Sequence, residues 1–161
     1  MPHLIPKCSI YLAAAIVPFL FSFKSLNIKR QQDPVHWQFT ARKVSPKAFA
    51  ISLQATIDHG WHIYSMFQPK DAIADPTTIS FTTSPVVVVH GPTKEVGRVK
   101  KQKLPDLDLV QNMFERQVEF VQSVELRADV KTNISGTITY QACTEEMCLP
   151  TKTIPFTVSV P

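Results

Sequence analysis

Cys143 and Cys148 are the residues of this sequence best suited to chemistry. They lie in Thr139-Tyr140-Gln141-Ala142-Cys143-Thr144-Glu145-Glu146-Met147-Cys148-Leu149-Pro150, at the end of a strand-like run and just before a proline. A disulfide between them would close a very small loop. Constraining such a loop contributes only about 2 kcal/mol, against roughly 3 for a 15-residue loop. A bond that adds so little stability is a candidate for being made and broken as function.

Three chemistries compete for the pair. A structural staple is the ordinary fate of cysteines in exported domains. A metal site would need two further ligands and favours cysteines separated by two to four residues. The histidines His3, His36, His59, His62 and His90 supply no paired motif, so neither a metal nor any other cofactor is expected. The third chemistry is dithiol-disulfide exchange, in which one thiolate attacks a partner's disulfide and the second cysteine resolves the mixed disulfide; closeness is then a requirement of the mechanism. Glu145 and Glu146 lie inside the loop. As neighbouring carboxylates they disfavour a thiolate, which would keep a reduced pair quiet until a partner docks; the plainer reading makes them a solvated turn.

Compartment follows from the N-terminus. Lys7 precedes an apolar run from Ser9 to Phe23, the pattern of an export signal, which we place over residues 1–25, with a linker over 26–34 and the folded domain over 35–161. The run is shorter than the roughly 20 residues of a membrane-spanning helix, and Pro18 interrupts it. Removal of this segment takes Cys8 with it and leaves Cys143 and Cys148 as one pair, expected to be oxidised outside the cytoplasm unless electrons are supplied. Charge is close to balanced. The sequence has 17 Lys+Arg against 13 Asp+Glu, and dropping Lys7 and Lys24 leaves 15 against 13, which argues against a nucleic-acid partner. The basic cluster Lys94, Arg98, Lys100, Lys101 and Lys103 reads as a strand edge guarded by lysines.

The elements that must position the pair are strands. Val35, Trp37, Phe39 and Ala41 alternate with polar residues, as do Phe49, Ile51, Leu53, Ala55 and Ile57. Asp58-His59-Gly60 is a turn, after which Trp61 and Ile63 face one way and His62 and Tyr64 the other. Residues 66–76 read as loop. Short strands are expected over Thr77–Thr82 and Val86–His90, the second ended by Gly91-Pro92, and a twisted edge strand over Lys94–Lys101 with a bulge at Gly97. Leu104–Arg116 suits a loop with at most a short helical turn. Val118 and Phe120, then Val121, Val124 and Leu126, read as a strand whose inward face switches at a bulge. Ile134, Gly136, Ile138 and Tyr140 share one face of a strand leading to the cysteines; Ile154, Phe156, Val158 and Val160 share one face of the last. About eight short strands, 13 prolines and 4 glycines point to an all-β antiparallel sandwich.

Gly60-Trp61-His62-Ile63-Tyr64, then Thr139-Tyr140-Gln141-Ala142-Cys143 through Cys148-Leu149-Pro150, then Lys152-Thr153-Ile154-Pro155-Phe156 resemble, in order and spacing, the N-terminal periplasmic domain of the thiol:disulfide interchange protein DsbD. The resemblance implies an immunoglobulin-like sandwich with a redox-active pair that relays electrons to exported, disulfide-bearing proteins. It implies that Cys148 forms the mixed disulfide, that Cys143 resolves it, and that His62 and Tyr64 occupy the positions of side chains beside the pair; Tyr140, Glu145 and Glu146, next to the cysteines in sequence, are further candidates for supporting it. Full-length family members continue into a membrane electron-transport domain and a thioredoxin-like domain, so the reductant expected here is a separate thioredoxin-like or membrane protein. Two departures stand out. Thr151 follows Pro150 where the family often has a second proline, and no aromatic residue precedes Phe114 in the stretch from Leu104 where a protective cap would fall. The reading from a different class is a non-catalytic immunoglobulin-like binding module whose small disulfide stiffens a recognition loop.

Overall fold

The computed structural model describes residues 33–104 and 107–160; the expected signal segment and most of the expected linker lie outside them. Eleven strands form among the described residues: β1 (Val35–Lys43), β2 (Ala48–Ile57), β3 (His62–Tyr64), β4 (Thr78–Phe81), β5 (Val87–Val96), β6 (Lys100–Leu104), β7 (Leu109–Glu115), β8 (Gln117–Leu126), β9 (Thr132–Tyr140), β10 (Ala142–Cys143) and β11 (Lys152–Val160). All named pairings are antiparallel. They form three sheets, ordered β1-β2-β8-β5, β10-β3-β7-β6 and β11-β9-β4. The fold is an all-β, immunoglobulin-like sandwich. Among the described residues no helix is long and apolar enough to cross a membrane.

The main core lies between the first and third sheets. Ile51, Leu53 and Ala55 of β2 and Val118, Phe120, Val124 and Leu126 of β8 meet Ile134, Ile138 and Tyr140 of β9 and Phe156, Val158 and Val160 of β11 in one buried cluster. Trp37 links the layers, with ring centroids 5.9 Å from Phe120 and 5.4 Å from Tyr140. Gly136 makes the approach of β4 and β11 possible. A β-carbon there would stand 2.2 Å from the Ser80 carbonyl oxygen and 2.5 Å from the Phe156 ring.

Four local expectations are corrected. β5 does not stop at Gly91-Pro92; it continues to Val96, with a register shift between His90 and Lys94 against β8. β8 keeps one inward face throughout, Val118, Phe120, Gln122, Val124 and Leu126, so the irregularity belongs to its partner. Gln122 is what makes the difference. Its buried carboxamide accepts from the Thr93 hydroxyl at 2.7 Å and donates to the carbonyls of His90 and Gly91, serving backbone groups that the bulge takes out of the ladder.

The stretch Lys94–Lys101 is not one strand. β5 ends, the chain bends at Gly97, and β6 begins in a different sheet, as the edge strand bearing Lys100, Lys101 and Lys103. Nor is Leu104–Arg116 a loop. Most of it is β7, an interior strand between β3 and β6. Met113 packs in a small cluster with Tyr64 and Cys143 while Phe114 enters the main core, so both faces of β7 are covered and apolar residues stand side by side. That is why the stretch shows no strand-like alternation.

Candidate redox site

The cysteine loop sits where the chain changes sheets. β9 ends at Tyr140 in the third sheet, Gln141 breaks the ladder, and Ala142 and Cys143 resume as β10 at the edge of the second sheet, opposite Ile63 and His62 of β3. Cys143 and Cys148 are joined by a disulfide with their α-carbons 4.0 Å apart, and they face each other as a bridge pair. The two sulfurs occupy different environments. Cys143 has no exposure and packs against Tyr64 and Met113, with Ala74 of the 66–76 loop at its margin. Cys148 is exposed, as are its neighbours Glu145, Glu146 and Met147.

Hydrogen bonds that do not involve sulfur hold the loop. The Thr144 amide donates to the Met147 carbonyl at 2.7 Å, and the Thr144 hydroxyl oxygen accepts from the amides of Glu146 and Met147. The Leu149 amide donates to Ala142, and the Gln141 carboxamide donates to the Leu149 carbonyl. Side-chain bonds of this kind are the usual chemistry of threonine in turns. Thr144 and Gln141 were readable as polar residues flanking the cysteines, yet nothing in their types alone marked them as the loop's anchors.

His62 and Tyr64 lie on the face of β3 that meets Cys143. The plain reading of half-exposed strand residues does not hold: their exposures are 3% and 7%. β3 is an interior strand, with Ile63 turned to the main core and its other face under the 66–76 loop. That loop is pinned by Glu95, whose carboxylate accepts from the Ser65 hydroxyl at 2.7 Å and the Met66 amide at 2.6 Å, and by Thr77, whose hydroxyl donates to the Tyr64 carbonyl. The His62 and Tyr64 rings meet edge to face, centroids 5.3 Å apart. His62 Nε2 is buried without a hydrogen-bond partner. Burial lowers the His62 pKa, Glu145 and Glu115 oppose that shift, and Lys100 reinforces it; burial alone raises that of Tyr64. A cavity of about 220 Å³ opens beside His62, walled by Trp61, Glu115, Arg116 and Glu145.

The remaining expected site residues divide. Glu145 borders that cavity, whereas Glu146 enters the loop network through its amide. Tyr140 belongs to the main core. Its hydroxyl donates to Asp33 at 2.6 Å, and it is not part of the cluster around Cys143. The stretch expected to shield the pair is the β6–β7 hairpin, in the sheet that carries Cys143; Leu107 at its turn is exposed, and Pro105 and Asp106 fall outside the described residues.

Known proteins share this arrangement of strands. The reduced N-terminal domain of DsbD from Neisseria meningitidis is 13% identical, with a TM-score of 0.53 over 83% of this chain and 94% of that one. The N-terminal periplasmic domain of ScsB from Proteus mirabilis is 18% identical, with a TM-score of 0.51 over 81% of this chain and 47% of that longer one. No curated protein matches the chain. The family model for the N-terminal part of thiol:disulfide interchange protein DsbD matches residues 31–159, and with that span, which takes in the cysteine loop and every described strand but for its last residue, the chain belongs to that family.

Proposed function

We infer that this chain is an exported, periplasmic thiol-disulfide interchange domain that takes electrons from a thioredoxin-like or membrane-borne reductant and passes them to disulfide-bearing proteins. The observation that carries the reading is the unequal burial of the pair, with Cys143 enclosed and Cys148 open to solvent. Only an exposed sulfur can meet a partner's disulfide in line. In the forward direction the Cys148 thiolate attacks one sulfur of the partner's disulfide, a mixed disulfide forms, and the partner's other sulfur leaves as thiolate. Cys143 then attacks Cys148, closing the internal disulfide and releasing the second partner thiol. Two electrons and two protons pass to the partner. Tyr64 and Met113 keep water from Cys143, and the Thr144 network keeps the two sulfurs apposed. His62 and Glu145 border the approach.

Equilibration with glutathione redox buffers, followed by alkylation of free thiols, tests the proposal. An exchanging pair has a reduction potential well above about −300 mV. Cys143→Ala is expected to accumulate a mixed disulfide through Cys148, and Cys148→Ala to accumulate none. A potential below that value, with no mixed disulfide captured by Cys143→Ala, would leave the disulfide a stiffener of a binding loop.

A further inference from the structure

Cys143, His62 and Glu115 stand in one row across three strands. Cys143 of β10 is registered opposite His62 of β3, and His62 is registered opposite Glu115 of β7. Directly opposed residues of antiparallel strands share a face, with β-carbons about 5 Å apart. Exposure rises along the row: Cys143 0%, His62 3%, Glu115 at the surface. His62 therefore stands between enclosed Cys143 on one strand and surface-exposed Glu115 on the other.

Resting on the exchange reading above, the geometry points to His62 as the residue that takes the Cys143 thiol proton when the mixed disulfide is resolved, and returns it when the internal disulfide is reduced. The need arises from burial. Only a thiolate attacks a disulfide, and Cys143 has no access to bulk water that could carry its proton away. Met113 cannot accept a proton, and the Tyr64 phenol keeps its own. His62 can, since its buried Nε2 has no hydrogen-bond partner. A buried polar atom left unpaired in a native fold calls for an explanation, and a transient one with a thiol supplies it.

The step balances. As Cys143 Sγ bonds to Cys148 Sγ, the sulfur–sulfur bond to the partner breaks and the partner leaves as thiolate. The proton moves from Cys143 to the imidazole, then through the cavity walled by Glu115 and Glu145 to solvent or to the departing thiolate. The titratable and charged groups around His62 are Glu145 from the cysteine loop, Glu115 from β7, Lys100 from β6, Tyr64 on its own strand, and Asp58, His59 and Arg116, which line the cavity beside it. Glu115 is tied to Lys100 at 2.7 Å, which tempers its pull on the imidazolium. Burial holds the imidazole neutral near pH 7, the form a proton acceptor needs.

Single-turnover oxidation of the reduced full chain, with Cys8→Ser, by glutathione disulfide tests this assignment. Acid quenching and mass spectrometry separate formation of the Cys148–glutathione adduct from its resolution. Resolution is expected to slow on the order of 100-fold in His62→Gln while adduct formation is unchanged, and to lose its dependence on an imidazole titration. In the unmodified protein the midpoint of the resolution rate should match the His62 titration seen by NMR, which keeps the test independent of how well the variant folds. A resolution rate flat across that midpoint, or equal in His62→Gln, overturns the role of His62 alone. Absence of any adduct in the unmodified chain overturns the exchange reading together with it.

Discussion

The Tyr140 hydroxyl donates to the Asp33 carboxylate at 2.6 Å across 107 positions of sequence, and Lys152 of β11 pairs with the same carboxylate. The strand that delivers the cysteines is thereby tied to the point where the domain begins. Burial opposes the Asp33 charge, but the bonds from Lys152, Tyr140 and the Val35 amide outweigh it and hold its pKa below the ordinary 3.8. A carboxylate with a depressed folded-state pKa stabilises the fold above its unfolded pKa, and that contribution is lost as pH falls through the folded value. Tyr140→Phe is expected to cost about 2 kcal/mol in urea unfolding at pH 7. The deficit of Asp33→Asn should shrink as the pH is taken below 3.8; a deficit constant down to that range would show that charge plays no part.

Gly136→Ala should be the most damaging single methyl added to this domain. The Ser80 backbone oxygen, 2.2 Å from the added carbon, cannot swing aside as the Phe156 ring can. Overpacking of this kind costs about 3 kcal/mol, read as a fall in thermal midpoint, with β4 expected to detach first in amide exchange.

Replacement of Gln122 by the near-isosteric leucine should also destabilise, in spite of its burial among apolar neighbours. The Thr93 hydroxyl and the carbonyls of His90 and Gly91 would lose their partner, for about 3 kcal/mol in denaturant unfolding. A leucine variant as stable as the parent would mean that water serves the bulge equally well.

Acid should weaken the fold through His62. Its folded-state pKa is lowered from 6.5 by burial, so the unfolded chain takes up this proton first as pH falls. The stability is present above pH 6.5 and declines below it, until the folded imidazole titrates as well. His62→Gln should flatten that part of the stability profile, measured by urea midpoints between pH 7 and 5, at constant slope.

Strands exposed on one side were legible because alternation survives in them: β1, β2, β9 and β11 follow the expected faces, and the pair falls at the expected strand end. Strands covered on both sides were not. Met113 and Phe114 of β7 serve two clusters, and the face of His62 is readable from its own strand but its burial is not, since β3 is covered by neighbouring strands and its outer cluster by Ala74 of a loop with no periodicity of its own. Gln122 hid a regular strand because an inward glutamine is intelligible only beside the bulge of β5, a relation between strands that one segment does not display. Glu115, the third residue of the cysteine row, reaches the site through pairing register alone.

Because Thr144, Gln141 and the Leu149 amide hold the cysteine loop without help from sulfur, the reduced form keeps its two thiols at close quarters. The internal attack then proceeds at a high effective molarity, with its orientational entropy already settled by the fold. In the proposed exchange, a partner held through Cys148 would be released quickly. Its capture from the wild-type chain would be fleeting, and the lifetime of each encounter would depend on how the cysteine loop is held rather than on the affinity of the two surfaces.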